Sequence, residues 1–493
     1  MPEKLNPTGT PITIETITLR TPGLEGVAEA HMPGSPGMRA AERTTTLLDE
    51  AMASEGLRAG TSIEIEDASE VPAAGRGTRS TSFGEPAIEM DVPAPSKGWE
   101  QVVLSSDEAT VLSWNFAIEQ SQPGDTGTHR SASGTRKYLI RRAVTKAESA
   151  PKTRGLIGAV GRKILKVVAF KLLDPIGAAL GEHFAKQWET AKRPYRFRTF
   201  TPDDYNQAEG RILESADWTT LGSKRALLMV HGTMSRAHGA FGSLSRSVVE
   251  ELHRRYEGRV FAFDHFTLSD DPHANLDWFC KNLAADQRLD VDIVCHSRGG
   301  LISRLLSERA AELSLGTRQI NVGKVVFVAA PNAGTILASD KYMGDFIDSY
   351  TNLLNFLPDT GVIEVLQGVI TVVKQLAVGA LRGLEGLQSM NPQGKFISTL
   401  NQGPSGTTRY YALAANFEPT VPGFKTFAAD RITDKIFHQD NDLVVPTGGV
   451  YGENGRGGFP IEEKLVFPPT SGIGHTNFFG QPDVHEKILT WLA

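Results

Sequence analysis

The run Val291-Asp292-Ile293-Val294-Cys295-His296-Ser297-Arg298-Gly299-Gly300-Leu301 places a serine two residues beyond a short apolar stretch and just ahead of two glycines. Through Ile302-Ser303-Arg304-Leu305-Leu306 the apolar residues then recur at helical spacing, so the run reads as strand, sharp turn and helix. A serine at such a turn stands clear of the sheet at the positive end of a helix, where backbone N–H groups can meet an oxyanion. Ser297 is therefore the candidate nucleophile. A serine hydroxyl is weak at neutral pH and needs a base to take its proton, with a carboxylate to hold that base in the right tautomer. The base belongs after the last strand, where Ser471-Gly472-Ile473-Gly474-His475-Thr476-Asn477 offers His475 in a glycine-flanked loop. The acid belongs after the strand before that, where Asp440-Asn441-Asp442-Leu443-Val444-Val445-Pro446 sets carboxylates tightly against an apolar run. Asp442, directly before that run, is the first choice and Asp440 the second. Each residue alone is a weak signal, since a short pattern of small residues arises often by chance. The order Ser, Asp, His at successive strand ends, with His231-Gly232 closing an earlier strand, is the stronger one.

From about residue 225 to 493 these motifs resemble the α/β-hydrolase superfamily, and within it they are most similar to lipase-like serine esterases. The resemblance implies a doubly wound, mostly parallel sheet and hydrolysis of a carboxylic ester through an acyl-enzyme. In that group the residue after the His-Gly pair and the residue after the nucleophile supply two oxyanion N–H donors, which implies Thr233 and Arg298 here. Val328-Ala329-Ala330-Pro331-Asn332-Ala333-Gly334-Thr335 also resembles the segment after the next strand in these lipases. The first 200 or so residues lie outside the resemblance. One position departs from the family's usual G-x-S-x-G turn, because Cys295 stands where the first glycine would be. The turn demands a small residue there, and cysteine is small. As a nucleophile in its own right Cys295 would end the strand rather than sit at the tip of the turn.

Positioning such residues requires strands alternating with helices, and the region from about 206 shows that pattern. Strands are expected at Ala226–Val230, Val260–Asp264, Val291–Cys295, Lys324–Pro331, Thr408–Ala415 and Lys464–Phe467, with helices at Leu244–Tyr256, Asn275–Asp286 and Val484–Leu492. Between Gly334 and Arg409 lies a long helical insertion, about 335–405. There Val362, Leu366, Val369, Val373, Leu376, Ala380 and Leu384 recur at spacings of three and four, a face broader than one core contact requires. It reads either as a cap that gives an acyl chain an apolar slot, or as a packing helix for the N-terminal region or a second copy of the chain.

Residues 1–150 contain period-2 runs at Ile12–Leu19, Ser62–Glu66, Ala87–Val92 and Val111–Phe116, the mark of half-buried strands, and are expected to form a β-rich accessory domain able to recognise a protein partner. Ala68–Pro86, rich in Gly, Ser and Pro, reads as a mobile loop. Residues 151–205 read as an apolar helical linker or docking segment, with helices over Gly155–Leu173 and Ile176–Trp188. Its interleaved lysines and arginines leave peripheral membrane attachment open. No internal repeat is visible.

Composition narrows the function classes. The 493-residue chain is 40% hydrophobic and 22% charged, ordinary for a globular protein with room for two or three domains. A net charge of -6 from 51 basic and 57 acidic residues lacks the basic footprint of a nucleic-acid binder. Two cysteines, Cys280 and Cys295, build neither a disulfide framework nor a zinc site. His238, His265 and His273, near Asp264, Asp270 and Asp271, match no metal-ligand spacing and read as loop residues, and His231 and His296 read as orienting backbone rather than moving protons. No metal or other cofactor is expected. The absence of a signal-peptide core or spanning segment points to the cytoplasm, with specialised secretion routes left open. The expected activity is cleavage of a small-molecule or lipid-like ester, with amide or thioester cleavage on the same residues as the enzymatic alternative. Outside catalysis, the alternative is a partner- or membrane-binding effector with a degenerate hydrolase core.

Overall fold

Buried parallel strands read as continuous apolar runs because both faces must be covered. Seven strands are present, β1 (Arg196–Thr199), β2 (Ala226–Val230), β3 (Val260–Asp264), β4 (Arg288–His296), β5 (Gln319–Val328), β6 (Arg409–Ala415) and β7 (Ile461–Phe467), and the interior strands β2 and β3 follow this logic along their whole length. They form one sheet in the order β1-β3-β2-β4-β5-β6-β7, parallel except for β1, which runs antiparallel to β3 on the edge. Alternate residues divide between two apolar layers. Leu227, Met229, Val294 and Val326 face the layer closed by helices α2 (Arg246–Arg255) and α7 (Pro482–Trp491). Leu228, Val230, Ile293, Cys295 and Phe327 face the layer closed by α3 (Pro272–Asn282) and α4 (Gly299–Glu308). The sheet is thus doubly wound. Between β5 and β6 run two long helices, α5 (Met343–Phe356) and α6 (Val362–Ala377), and before β1 stands α1 (Phe184–Lys192).

The computed structural model describes residues 1–33, 46–71, 87–118, 134–142, 161–172, 184–358, 361–402, 406–428, 436–452 and 460–493. They fall into two compact units: Met1–Gly181 with Val373–Ala380 and Thr420–Phe427, and Glu182–Val372 with Leu381–Pro419 and Ala428–Ala493, which holds the seven-stranded sheet. The first unit carries two antiparallel sheets. One orders Glu3–Lys4, Leu24–His31, Leu57–Glu70, Lys163–Lys171, Trp99–Asp107 and Leu112–Asn115; the other orders Ile12–Ile14, Ile17–Arg20, Ala87–Pro93 and Thr135–Arg141. Ile63, Ile65, Val103 and Leu165 from the first sheet meet Leu19, Ile88, Met90 and Ile140 from the second in one buried core.

Several local expectations are corrected. Within the supposed helix Gly155–Leu173, Lys163–Lys171 is a strand paired on both sides, and its β-branched Ile164, Val167 and Val168 suit a pleated surface better than a helix. Within Lys163–Lys171 buried and half-buried residues largely alternate, a two-residue period that scatters apolar side chains round a helical wheel, so the helix on which membrane attachment was argued is absent over that stretch. Residues 143–160 and 173–183 lie outside the described residues, and α1 extends only over the end of the second expected helix. Ile12–Leu19 is a tight hairpin rather than one strand, turning at Glu15 with φ of 55°. The loop expected over Ala68–Pro86 lies outside the described residues from 72 onward, while Ala68–Glu70 ends a strand. The helix expected to reach Leu384 stops at Ala377, before Gly379 and Gly383, both at positive φ. Among the described residues no helix is long and apolar enough to cross a membrane.

Candidate active site

Strand β4 ends at His296, and the chain turns into α4 through Ser297, whose φ of 50° is a left-handed conformation that a non-glycine residue adopts only when its surroundings hold it. Val328 O accepts the Ser297 N–H at 2.9 Å, and Ser297 O accepts from Gly300 N–H at 2.9 Å. The glycines around it are required by close approach. A Cβ on Gly299 would stand 2.4 Å from Val230 O, one on Gly300 2.4 Å from the Ala330 Cβ, and one on Gly232 2.6 Å from the Ser297 Cβ. The helix can therefore start directly against β2 and β5. Cys295, one residue before His296, points away from this crowding into the α3–α4 layer, and its thiol meets Val326 O at 3.4 Å. Burial pushes that thiol up to about 12, which leaves it protonated and unreactive near neutral pH.

The structure brings Ser297, His475 and Asp442 together from three loops. His475 Nε2 lies 3.0 Å from Ser297 Oγ, and His475 Nδ1 lies 2.8 Å from Asp442 Oδ2. An ionised carboxylate can only accept, so the ring proton sits on Nδ1 and Nε2 is free to accept from the serine hydroxyl. The other carboxylate oxygen, Oδ1, accepts from the Val444 and Val445 N–H groups at 3.0 and 2.7 Å, and Asp442 O accepts from His475 N–H at 3.2 Å. The Leu443-Val444-Val445 run thus clamps the acid, while Asp440 is exposed and makes no bond to the ring. All three side chains are enclosed, Ser297 being 1% exposed and His475 0%.

Thr233 and Arg298 flank the serine on the β2 and β4 sides. Among the described residues neither backbone N–H has an acceptor. Arg298 is wholly buried: its guanidinium donates to Gly386 O at 2.7 Å and to Phe266 O and Asp270 O, and burial lowers its pKa to about 10. The nearby histidines have structural parts. His231 Nε2 accepts from His265 N–H at 3.1 Å, so its Nδ1–H donates to Gly232 O at 3.0 Å, and burial holds it down to about 4. His296 Nε2–H donates to His475 O at 3.0 Å, with burial holding the ring down to about 3. Both stay neutral near pH 7. His265, a loop residue as expected, is buried just after β3 and stacked on His231 with ring centroids 4.1 Å apart.

Two residues lacked any local signal in the sequence. Tyr350, on α5, is buried with its ring 5.9 Å from that of His475 and its hydroxyl toward Ser297; burial pushes its pKa well up. Asp264, at the end of β3, accepts from Ala237 N–H and from Arg196, both at 2.8 Å, and so fixes the far end of the turn that follows Thr233. A tyrosine or aspartate in an apolar run carries no mark of what it will face.

Residues 192–493 match the family described as a domain of unknown function, DUF7379. The chain belongs to that family. No curated protein matches it. Among solved structures, lipase 1 from Pelosinus fermentans is similar at 13% identity, over 54% of this chain and 97% of that one, with a TM-score of 0.36. Phospholipase PlaB from Legionella pneumophila is similar at 14% identity over 46% of this chain and 45% of its own, TM-score 0.31. A metagenomic carboxyl esterase, MGS0156, is similar at 16% identity over 55% and 68%, TM-score 0.30. Scores this low carry no weight for the site, which rests on its own geometry.

Proposed function

We propose that this DUF7379 chain is a serine hydrolase of α/β-hydrolase type that cleaves carboxylic esters with an apolar acyl group. The observation that carries the reading is the continuous hydrogen-bonded line from Ser297 Oγ through His475 to Asp442, closed at 3.0 and 2.8 Å. In this reading Ser297 Oγ attacks the ester carbonyl while its proton moves to His475 Nε2. The resulting oxyanion is met by the Thr233 and Arg298 N–H groups, donors whose individual loss typically costs about 100- to 1,000-fold in rate. The intermediate collapses, the C–O bond to the alcohol breaks, and Nε2 returns the proton to the leaving oxygen. Water then repeats the sequence on the acyl-serine, releasing the acid. Asp442 keeps the ring proton on Nδ1 and stabilises the imidazolium that forms.

Support for an apolar acyl group comes from the side chains near the loops. Leu353, Leu357 and Phe417 lie against Gly474 beside His475, Met234 is wholly buried against Gly368 of α6, and Met390 meets Thr233. A fluorophosphonate probe tests the reading: it should label the folded wild type at Ser297, and Ser297→Ala should not label. Equal labelling of both, or none in folded wild type, defeats it. A thioester offered beside the oxygen ester measures which acyl leaving group the same residues prefer.

A further inference from the structure

We propose that Glu189 and Arg193, at the end of α1 and just beyond it, are positioning residues for the two oxyanion donors, acting through the loop after β3. The inference rests on the hydrolase reading above. Met234, the residue after Thr233, has φ of 57° and is wholly buried, so both its backbone polar groups must be satisfied inside the protein. No strand or helix does this. Its carbonyl accepts from Arg193 Nη1 at 2.7 Å, and its N–H donates to Thr267 Oγ1 at 3.1 Å. The Thr267 hydroxyl in turn donates to Glu189 Oε1 at 3.3 Å.

Glu189 is 1% exposed and does more than receive that hydroxyl. Its Oε1 accepts from the N–H groups of Thr267 and Leu268, and its Oε2 accepts from the Ser269 N–H at 3.0 Å and the Ser269 hydroxyl at 2.7 Å. A carboxylate replaces water for three successive N–H groups and fixes the loop from Phe266 to Asp270. The Arg298 guanidinium grips the two ends of that same loop, at Phe266 O and Asp270 O. Thr233 and Arg298 are therefore tied to one loop, and the loop is tied to one buried anion. Arg193 adds a second fastening, because its other guanidinium nitrogen donates to Glu364 O on α6. The spacing between the two proposed donors is set by this frame rather than by the sheet alone. Misplacing an oxyanion donor by an ångström or less weakens the transition state without weakening ground-state binding.

Arg193→Met, Thr267→Val and Thr267→Ser in the full chain test the assignment, read against a short p-nitrophenyl ester and against a trifluoromethyl ketone whose hemiketal oxygen mimics the oxyanion. Arg193→Met and Thr267→Val should lower kcat by about 10- to 100-fold with KM nearly unchanged, and should weaken the ketone by the same factor. Thr267→Ser keeps the hydroxyl and should restore both. Fluorophosphonate labelling of each variant should be slowed yet run to completion, showing that the nucleophile and base remain in place. Folded variants that bind the ketone within about two-fold of wild type, or that lose only KM or stability, overturn the positioning role. Folded wild type that never labels overturns the hydrolase reading itself, and this role with it.

Discussion

Replacing Asp442 by Asn separates the electrostatic job of the acid from its structural one. Asp442 Oδ2 faces the His475 ring at 2.8 Å, and Oδ1 accepts from the Val444 and Val445 N–H groups at 3.0 and 2.7 Å. An asparagine has two ways to sit there. With its oxygen toward the backbone, the amide NH2 faces His475 Nδ1, which must then accept, so the ring proton moves to Nε2 and points at Ser297. That tautomer cannot take the serine proton, and in related constellations it costs about 10,000-fold in kcat. With the amide reversed, the ring keeps its useful tautomer but two buried N–H groups lose their acceptor, at about 1–3 kcal/mol each. The first orientation therefore wins by about 2–6 kcal/mol, which leaves roughly 3% of molecules or far fewer in the second. Asp442→Asn should accordingly fall about 30-fold or more in kcat on a p-nitrophenyl ester, with a thermal midpoint close to wild type because the loop bonds survive. Asp440→Asn, at an exposed position, should stay within roughly two-fold. An Asp442→Asn enzyme that keeps more than about a tenth of wild-type kcat, or an Asp440→Asn enzyme that loses as much, refutes the assignment.

Three further outcomes are expected. Burial pushes Cys280 up to about 11 and Cys295 up to about 12, so neither thiol should react with a disulfide reagent at pH 8 until the chain is unfolded; rapid reaction of native protein contradicts their placement. His231 is held down to about 4 in the fold against about 6.5 in the unfolded chain, so the unfolded state takes up the proton first as pH falls. Its contribution is fully present above pH ~6.5 and is lost toward pH 4 by up to about 1.4 kcal/mol per pH unit, a loss that His296 reinforces. The urea midpoint measured from pH 7.5 to 5 should fall; a flat midpoint shows that these rings titrate normally. Activity on p-nitrophenyl esters should rise from acetyl to medium or long acyl chains, and strict preference for acetyl would remove the apolar-acyl reading while leaving esterase chemistry standing.

How much of this could be read from residues alone follows from what each pattern encodes. Continuous apolar runs such as Leu227-Leu228-Met229-Val230 advertise buried parallel strands, and the turn residues after them mark where functional loops begin. Strand β1 gave no such sign, because Arg196-Phe197-Arg198-Thr199 alternates and its arginines look solvent-facing. In fact Arg198 is wholly buried and donates to Asp204 O, Gln207 O and Thr199 O. Lys163–Lys171 misled for the opposite reason: apolar residues on every side of a helical wheel suggested a buried or docking helix, and pairing on both sides makes it a strand. The departure at Cys295 also becomes intelligible, since its side chain enters a core layer rather than the crowded turn. Glu189 and Arg193 were invisible because their partners, mostly backbone groups, lie 41 to 171 positions away in sequence.

The enclosure of Ser297 has a kinetic corollary. A side chain 1% exposed, with the Tyr350 ring packed beside its partner His475, can meet a carbonyl only after neighbouring groups move. Opening and reaction then run in series. At low probe concentration the labelling rate should grow in proportion to concentration, and at high concentration it should level off at the rate of opening, a value common to probes of different reactivity. Tyr350→Ala removes the ring packed against His475 and should lift that ceiling. The plateau would measure a motion of the protein itself, separate from its chemistry.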